Sequence, residues 1–349
     1  MRAAEPAARP LTGLLALSLA LAAPPAAFAA AEPDACALVR ESMRAPAKIS
    51  YVGQLETVRF ASNRANATIV KIEHLAPSST RRWFVAPDSL YGDYIITRGP
   101  ASYEFDAKNS QVTVSRNPVF ADQVTTDAIF DQVMANYKCV MSGYDSVAGH
   151  ATVSVVLLNK YTGERTLRVW LDRQTHLVLK REEYHANGAV ASQMRFEELR
   201  YTKKLPAGIF ATEAPPGYKQ TKGHVYSKPT SDVDKAVREA GFKPFTPKDL
   251  PQGFALTSGS STSVDGVRTL HLIYSDGLRT LSLFENATGA AADFGTLHPR
   301  TAHFEGHEAQ YVEDGPTTLL TWKEHGLHFA LVGDLLRTEL IEIAKSVVP

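Results

Sequence analysis

Cysteine is scarce in this chain, net charge is absent, and no long apolar run follows the N-terminal region. Cys36 and Cys139 are the two cysteines among 349 residues. Lys plus Arg number 37 and Asp plus Glu number 37, so no net field draws the chain to nucleic acid or to an anionic membrane surface. Past the N-terminal segment, nothing approaches the roughly 20 apolar residues that a membrane-spanning helix needs. The signatures of catalysis are missing as well. The sequence holds no GxSxG elbow, no HExxH pair and no glycine-rich phosphate cradle; Gly259 and Gly266 stand alone. No catalytic constellation, metal site or cofactor is expected, and the chain does not read as an enzyme.

What is present begins with an export signal. Arg2 and Arg9 supply a positive start, residues 11–23 an apolar core, and Ala27 and Ala29 a small-residue cleavage site. That core is too short to span a bilayer, and the residues just before Cys36 (Pro33, Asp34, Ala35) make a poor lipoprotein signal. The expectation is a soluble, exported protein cleaved near Ala29. In an oxidising compartment Cys36 and Cys139 read as a disulfide between the first helix and a helix ending at Cys139, with two buried thiols as the alternative.

With 44 % hydrophobic and 21 % charged residues the chain reads as globular, and its length exceeds one ordinary core. The predicted organisation is a signal peptide over 1–29, a first domain over 30–212, a linker with a short helix over 213–245 and a second domain over 246–349. Residues 33–43 carry a helical pattern, as do 125–138, where Ile129, Val133, Met134 and Tyr137 recur at helical spacing. Strands are predicted over 51–60, 68–75, 81–85, 91–97, 102–106 and 111–115. Four more follow within 143–201, the last turn being the Asn187-Gly188 pair, a strong hairpin signal. Prolines at 206, 215, 216 and 229 mark the linker. Ser231 then caps a helix closed by Gly241. Strands over 254–258, 267–274, 281–286, 309–312, 317–323 and 327–332 precede a closing helix over 336–348, and residues 258–263 read as a polar loop.

Polar clusters have ordinary readings. His303 and His307 lie four apart with no further ligand at a defined spacing, and His325 and His328 flank a hairpin tip. Glu182 and Glu183, like Glu197 and Glu198, point to opposite faces of a strand and are taken as solvated strand edges. The strands of 143–201 carry apolar side chains on both faces, as in Val169, Trp170 and Leu171. One face must be covered by protein, leaving the other for an apolar ligand. Trp83, Trp170, Met194 and Phe196 are the candidates for lining such a lipid cleft, with sheet packing as the ordinary alternative.

Several strings carry a resemblance: YVG at 51–53, DSVAG at 145–149, LRVWLD at 167–172, LVLK at 177–180, Gly188 and FEEL at 196–199. They are joined by LPQGF at 250–254, LIYSDGL at 272–278, LSLF at 281–284, LVGD at 331–334 and IAKSV at 343–347. Together they resemble the RseB/MucB family of periplasmic sigma-E regulatory proteins. The resemblance implies an α+β fold: a LolA-like unclosed antiparallel β-barrel with helices in its concave side, then a smaller α+β domain with an antiparallel sheet. It further implies a regulator that binds the periplasmic domain of a transmembrane anti-sigma factor and protects it from proteolysis. Release would follow when a lipid or lipopolysaccharide fragment is sensed. The alternative is a periplasmic lipid or lipoprotein carrier of the LolA type.

Overall fold

A computed structural model of the chain describes residues 33–61, 64–116, 123–225, 230–264, 267–287, 294, 298–314 and 317–348; the expected signal peptide over 1–29 lies outside the described residues. Two sheets dominate. The first has twelve strands: β1 (Tyr51–Ala61), β2 (Arg64–Leu75), β3 (Ser79–Ala86), β4 (Tyr94–Arg98), β5 (Ala101–Asp106), β6 (Gln111–Arg116), β7 (Tyr137–Val147), β8 (His150–Asn159), β9 (Arg165–Asp172), β10 (Val178–Tyr184), β11 (Val190–Tyr201) and β12 (Lys219–Val225). Their spatial order is β12-β6-β5-β4-β3-β2-β1-β11-β10-β9-β8-β7. The edges β12 and β7 are at opposite ends of the list, so the sheet is unclosed. All neighbours are antiparallel except β12, which runs parallel to β6.

The second sheet has seven strands in the order β14-β15-β16-β20-β19-β18-β17. They are β14 (Ala255–Val264), β15 (Val267–Ser275), β16 (Thr280–Asn286), β17 (Arg300–Phe304), β18 (His307–Asp314), β19 (Thr317–Glu324) and β20 (Leu327–Gly333). A two-stranded pair, β13 (Thr246–Pro247) with β21 (Val347–Val348), ties the start of this module to its end.

Four helices complete the fold: α1 (Ala35–Arg44), α2 (Gln123–Asn136), α3 (Val233–Ala240) and α4 (Arg337–Lys345). Asp34 caps α1 by accepting from the Cys36 backbone N–H. α3 is capped by Asp232, one residue past the expected Ser231, because its carboxylate reaches the Lys235 N–H. Gly241 closes α3 in the left-handed conformation at φ 77°.

Helices α1 and α2 pack on the β7–β8–β9 end of the first sheet. Val39, Phe130, Val133, Val153, Val155 and Leu157 form a buried cluster there. Cys36 and Cys139 are joined by a disulfide with Cα atoms 5.3 Å apart. Cys139 lies on strand β7, not at a helix end as the sequence pattern suggested. α2 stops at Asn136, and Tyr137 pairs at once with Asn159 of β8. The stretch 137–147 therefore forms a fifth strand ahead of the four expected within 143–201.

Three further segments depart from expectation. Residues 258–263 are strand: polar Ser and Thr side chains suit β14, an edge of the second sheet, and Gly259 there leaves room for Ala236 of α3. The proline-marked stretch contains β12, reached after Gly217 turns the chain at φ 85°. Glu182 and Glu183 sit on β10, an interior strand between β9 and β11. Glu182 accepts from Tyr184 and pairs with Lys180 at 2.8 Å, while Glu183 accepts from Arg181 and Ser192. They are structural ion pairs, not solvated edges.

Candidate functional site

The two sheets meet in two different ways. At one end the turn between β15 and β16 docks onto the C-terminal half of α2. Asp276 in that turn is fully buried. Its Oδ1 accepts from the Leu278 and Arg279 backbone N–H groups at 2.9 and 2.7 Å. Its Oδ2 accepts from the Tyr137 hydroxyl at 2.6 Å and from Arg279 Nε at 2.9 Å. The Asn136 side-chain amide donates to the carbonyls of Asp276 (2.9 Å) and Gly253 (3.1 Å), and Gln132 Nε2 donates to the Ser275 carbonyl at 2.7 Å. Gly277 is required: φ is +99°, and a Cβ would come within 2.7 Å of the Val133 backbone nitrogen. Leu278 then inserts beside Val39, Phe130 and Val133 of the first module. Burial and the neighbouring Asp276 carboxylate raise the Tyr137 pKa, keeping that phenol a neutral donor. This contact is a latch, with its polar groups matched one for one.

Beyond the latch the sheets diverge around a cleft of about 610 Å³. One wall is built by cross-strand register: Thr57, Met194 and Arg181 form one row across β1, β11 and β10, and Arg59, Ser192 and Glu183 the next. The other wall is Val312 of β18, Thr317 and Leu319 of β19, and Asp334 just past β20. Asp334 accepts from the Thr317 hydroxyl at 2.8 Å. Burial lowers the Arg181 pKa while attraction to Asp334 opposes that shift. Arg59 has no ion-pair partner among the described residues and is exposed. The cleft thus offers an apolar floor of Met194, Val312 and Leu319 beside an unpaired guanidinium. Such a surface takes an amphipathic chain carrying an anionic group.

The four sequence candidates do not converge on it. Met194 lines the cleft. Trp170 and Phe196 are 3 % exposed each and belong to a buried cluster with Tyr51, Ile72, Leu177 and Leu179. Lys180 and Arg168 lie over the Trp170 ring at 4.2 and 4.3 Å. Trp83 stands elsewhere, on β3 at 37 % exposure. Sequence reasoning missed Arg59, Arg181, Gln132, Asn136 and Tyr137. Only Asp276, within the YSDGL string, had been singled out, without its role. Among the described residues no group of three or more His, Cys, Asp and Glu is arranged to hold a metal ion, and none of the helices is long and apolar enough to cross a membrane. His303 and His307 bracket the β17–β18 turn, and His325 stacks on Phe245 at 5.4 Å.

An unclosed, largely antiparallel sheet with helices on one face, latched to a second antiparallel sheet across an open cleft, defines a two-module α+β protein. Comparison with known proteins makes the assignment specific. Residues 94–214 match the family described as MucB/RseB N-terminal domain, and residues 244–347 match a domain of unknown function, DUF4367. The sigma-E factor regulatory protein RseB of Haemophilus influenzae is 27 % identical over 179 residues, covering 50 % of this chain and 52 % of that protein. The match thus spans about half the length of that curated relative. MucB in complex with MucA(peri) shares the fold with a TM-score of 0.60 at 17 % identity, over 90 % of this chain and 99 % of that one. The Pseudomonas aeruginosa MucA/MucB complex gives 0.60 at 16 % identity, over 91 % and 99 %. The stretch 94–214 thus carries the likeness to the MucB/RseB N-terminal domain, and the fold over both sheets is that of MucB.

Proposed function

We propose that this chain is a periplasmic regulator that binds the exported segment of a transmembrane anti-sigma factor and shields it from proteolysis. The observation that carries the reading is the match in fold, over both sheets, to MucB in complex with MucA(peri). The cleft supports it physically. A segment seated there would touch Met194 and Arg59 from the first module and Val312 and Leu319 from the second, so its affinity would depend on the relative placement of the two. A ligand that favours a different placement lowers that affinity by its differential binding alone. A lipid or lipopolysaccharide-like amphiphile is the proposed signal, its acyl part on the apolar floor and its anionic part against Arg59.

The test uses mature protein and the exported segment of the anti-sigma factor encoded beside its gene. Calorimetry should give a one-to-one complex, and the bound segment should resist a site-specific protease that cuts it when free. Added lipid A should release the segment. No complex with the segment, together with saturable uptake of acyl ligand, would favour the LolA-type carrier instead.

A further inference from the structure

A second groove lies on the other face of the first sheet. Alternation along β1 puts Val52 and Gln54 opposite in direction to Thr57 and Arg59. The groove has a volume of about 420 Å³ and is open to solvent. Polar side chains line it beside Val52: Gln54 and Lys71 are paired across β1 and β2, with Glu198 beside Gln54 on β11 and Arg200 one row away. None of these four side chains has a hydrogen-bond or ion-pair partner among the described residues. The next strand, β3, flanks the groove beyond β2. Lys71 is in register with Trp83, and Trp83 with Tyr94. The indole lies parallel to the Tyr94 ring, centroids 5.1 Å apart and planes 2° apart, and Tyr94 stacks in turn on buried Phe105 at 4.2 Å. Beside it, Arg81 is held by Glu73 and lies 6.0 Å from the indole centroid.

Tyr94 holds one face of the Trp83 ring, and strand register sets Trp83 next to Lys71 of the groove on the same side of the sheet. A rigid aromatic face above unpartnered donors and acceptors of both signs matches one ligand chemistry well. A pyranose ring presents C–H groups to an aromatic face and hydroxyls around its rim. An acyl chain would strand Gln54, Lys71, Glu198 and Arg200 against hydrocarbon. An added β-strand has no edge to join, because β1, β2 and β3 are paired on both sides. We propose that this groove is a saccharide-binding site in which Trp83 is the stacking platform and Gln54, Lys71, Glu198 and Arg200 hydrogen bond the hydroxyls. It is independent of the anti-sigma reading and of the cleft on the other face.

Tryptophan emission gives the test, because Trp170 and Trp322 are 3 % and 2 % exposed and Trp83 is 37 % exposed. Mature protein titrated with chitohexaose and, separately, maltohexaose should show a saturable emission change with at least one of them, confirmed by calorimetry. Trp83→Ala should weaken that binding by about ten-fold or more, and Trp83→Phe by about three-fold at most. Gln54→Ala with Lys71→Ala, which keeps the platform, should weaken it by a similar three-fold or more. Each variant is checked for an unchanged unfolding midpoint. Absence of saturable binding to either glycan at millimolar concentration, or undiminished affinity in folded Trp83→Ala, overturns the proposal.

Discussion

The two sheets solve the problem of burying apolar surface differently. The seven-stranded sheet packs one continuous cluster running from Phe254 and Leu270 through Leu283, Trp322 and Phe329 to Leu340 and Ile343. The twelve-stranded sheet has three separate clusters among the described residues: under α1 and α2, around Tyr51 with Trp170 and Phe196, and around Ile96 with Phe105 and Phe210. A sheet covered in patches keeps uncovered surface between them, which is where both the cleft and the Trp83 groove lie. It also lacks the mutual support of a single core, and the disulfide and the latch supply part of that support. The smaller module carries a fully buried carboxyl, Glu285, within its core face.

The largest effect should come from the disulfide. Its partners are 103 residues apart, for which loop-closure entropy gives about 4–5 kcal/mol. Reduction, or Cys36→Ser with Cys139→Ser, should lower stability by that order in chemical denaturation. The loss should fall on the twelve-stranded module, read as faster hydrogen exchange on β7 and β8. Two alkylatable thiols in protein recovered from the periplasm would remove the premise.

Next comes the latch. Asp276→Ala removes the acceptor for Tyr137 and leaves the Arg279 guanidinium with its carboxylate partner gone. Breaking a buried hydrogen-bonded charge pair by deleting one member costs about 3 kcal/mol or more. Stability should fall by that order, and the denaturation curve should split into two transitions as the modules uncouple. A single transition with an unchanged midpoint would mean that the modules do not lean on one another.

The latch also shows what the sequence could and could not reveal. Strand alternation and turn residues located most elements, and Asp276-Gly277 is recognisable as a tight turn. That the turn docks on α2 required knowing which surface faces it, and no local pattern reports a contact between residues 132–137 and 275–279. The same holds for the cleft: Arg59, Arg181 and Met194 become neighbours only through the β1–β11–β10 register. Candidates chosen for size alone were split accordingly. Trp170 and Phe196 went to the core because large aromatics bury the most area, while Trp83 and Met194 ended on opposite faces of the sheet. The missed second half of β14, past residue 258, has a different cause, since a Ser- and Thr-rich edge segment carries no apolar alternation to read.

Glu285 sharpens the contrast from the smaller module. Its Oε2 accepts from the Phe245 N–H at 2.9 Å and its Oε1 has no partner. Burial raises its pKa to about 7, the Phe245 hydrogen bond opposing the shift. A carboxyl whose folded pKa is above its unfolded value binds more protons when folded in the window between the two. Stability contributed by this group is therefore full at pH values below about 4.5, declines as pH rises toward 7, and stays at its lower level above that. The span is on the order of 3 kcal/mol. Glu285→Gln, which keeps the acceptor and removes the charge, should flatten the decline and raise the midpoint at pH 8. An unchanged pH profile would show that another group governs it.

The smallest change in stability should come from the cleft, and that is its diagnostic value. Arg59 is exposed and unpaired, so Arg59→Glu should move the unfolding free energy by no more than about 0.5 kcal/mol. Its effect on binding should be much larger if the cleft holds the anionic part of a partner segment or ligand. Replacing the guanidinium by a carboxylate turns an attraction into a repulsion across a partly desolvated site. About ten-fold or more in affinity follows, weakening further as ionic strength is lowered. Latch and cleft variants would then separate cleanly: Asp276→Ala lowers stability and affinity together, whereas Arg59→Glu lowers affinity alone. If Arg59→Glu binds the anti-sigma segment with the wild-type constant at low salt, the segment does not seat in this cleft, and the partner surface must be sought elsewhere on the two modules.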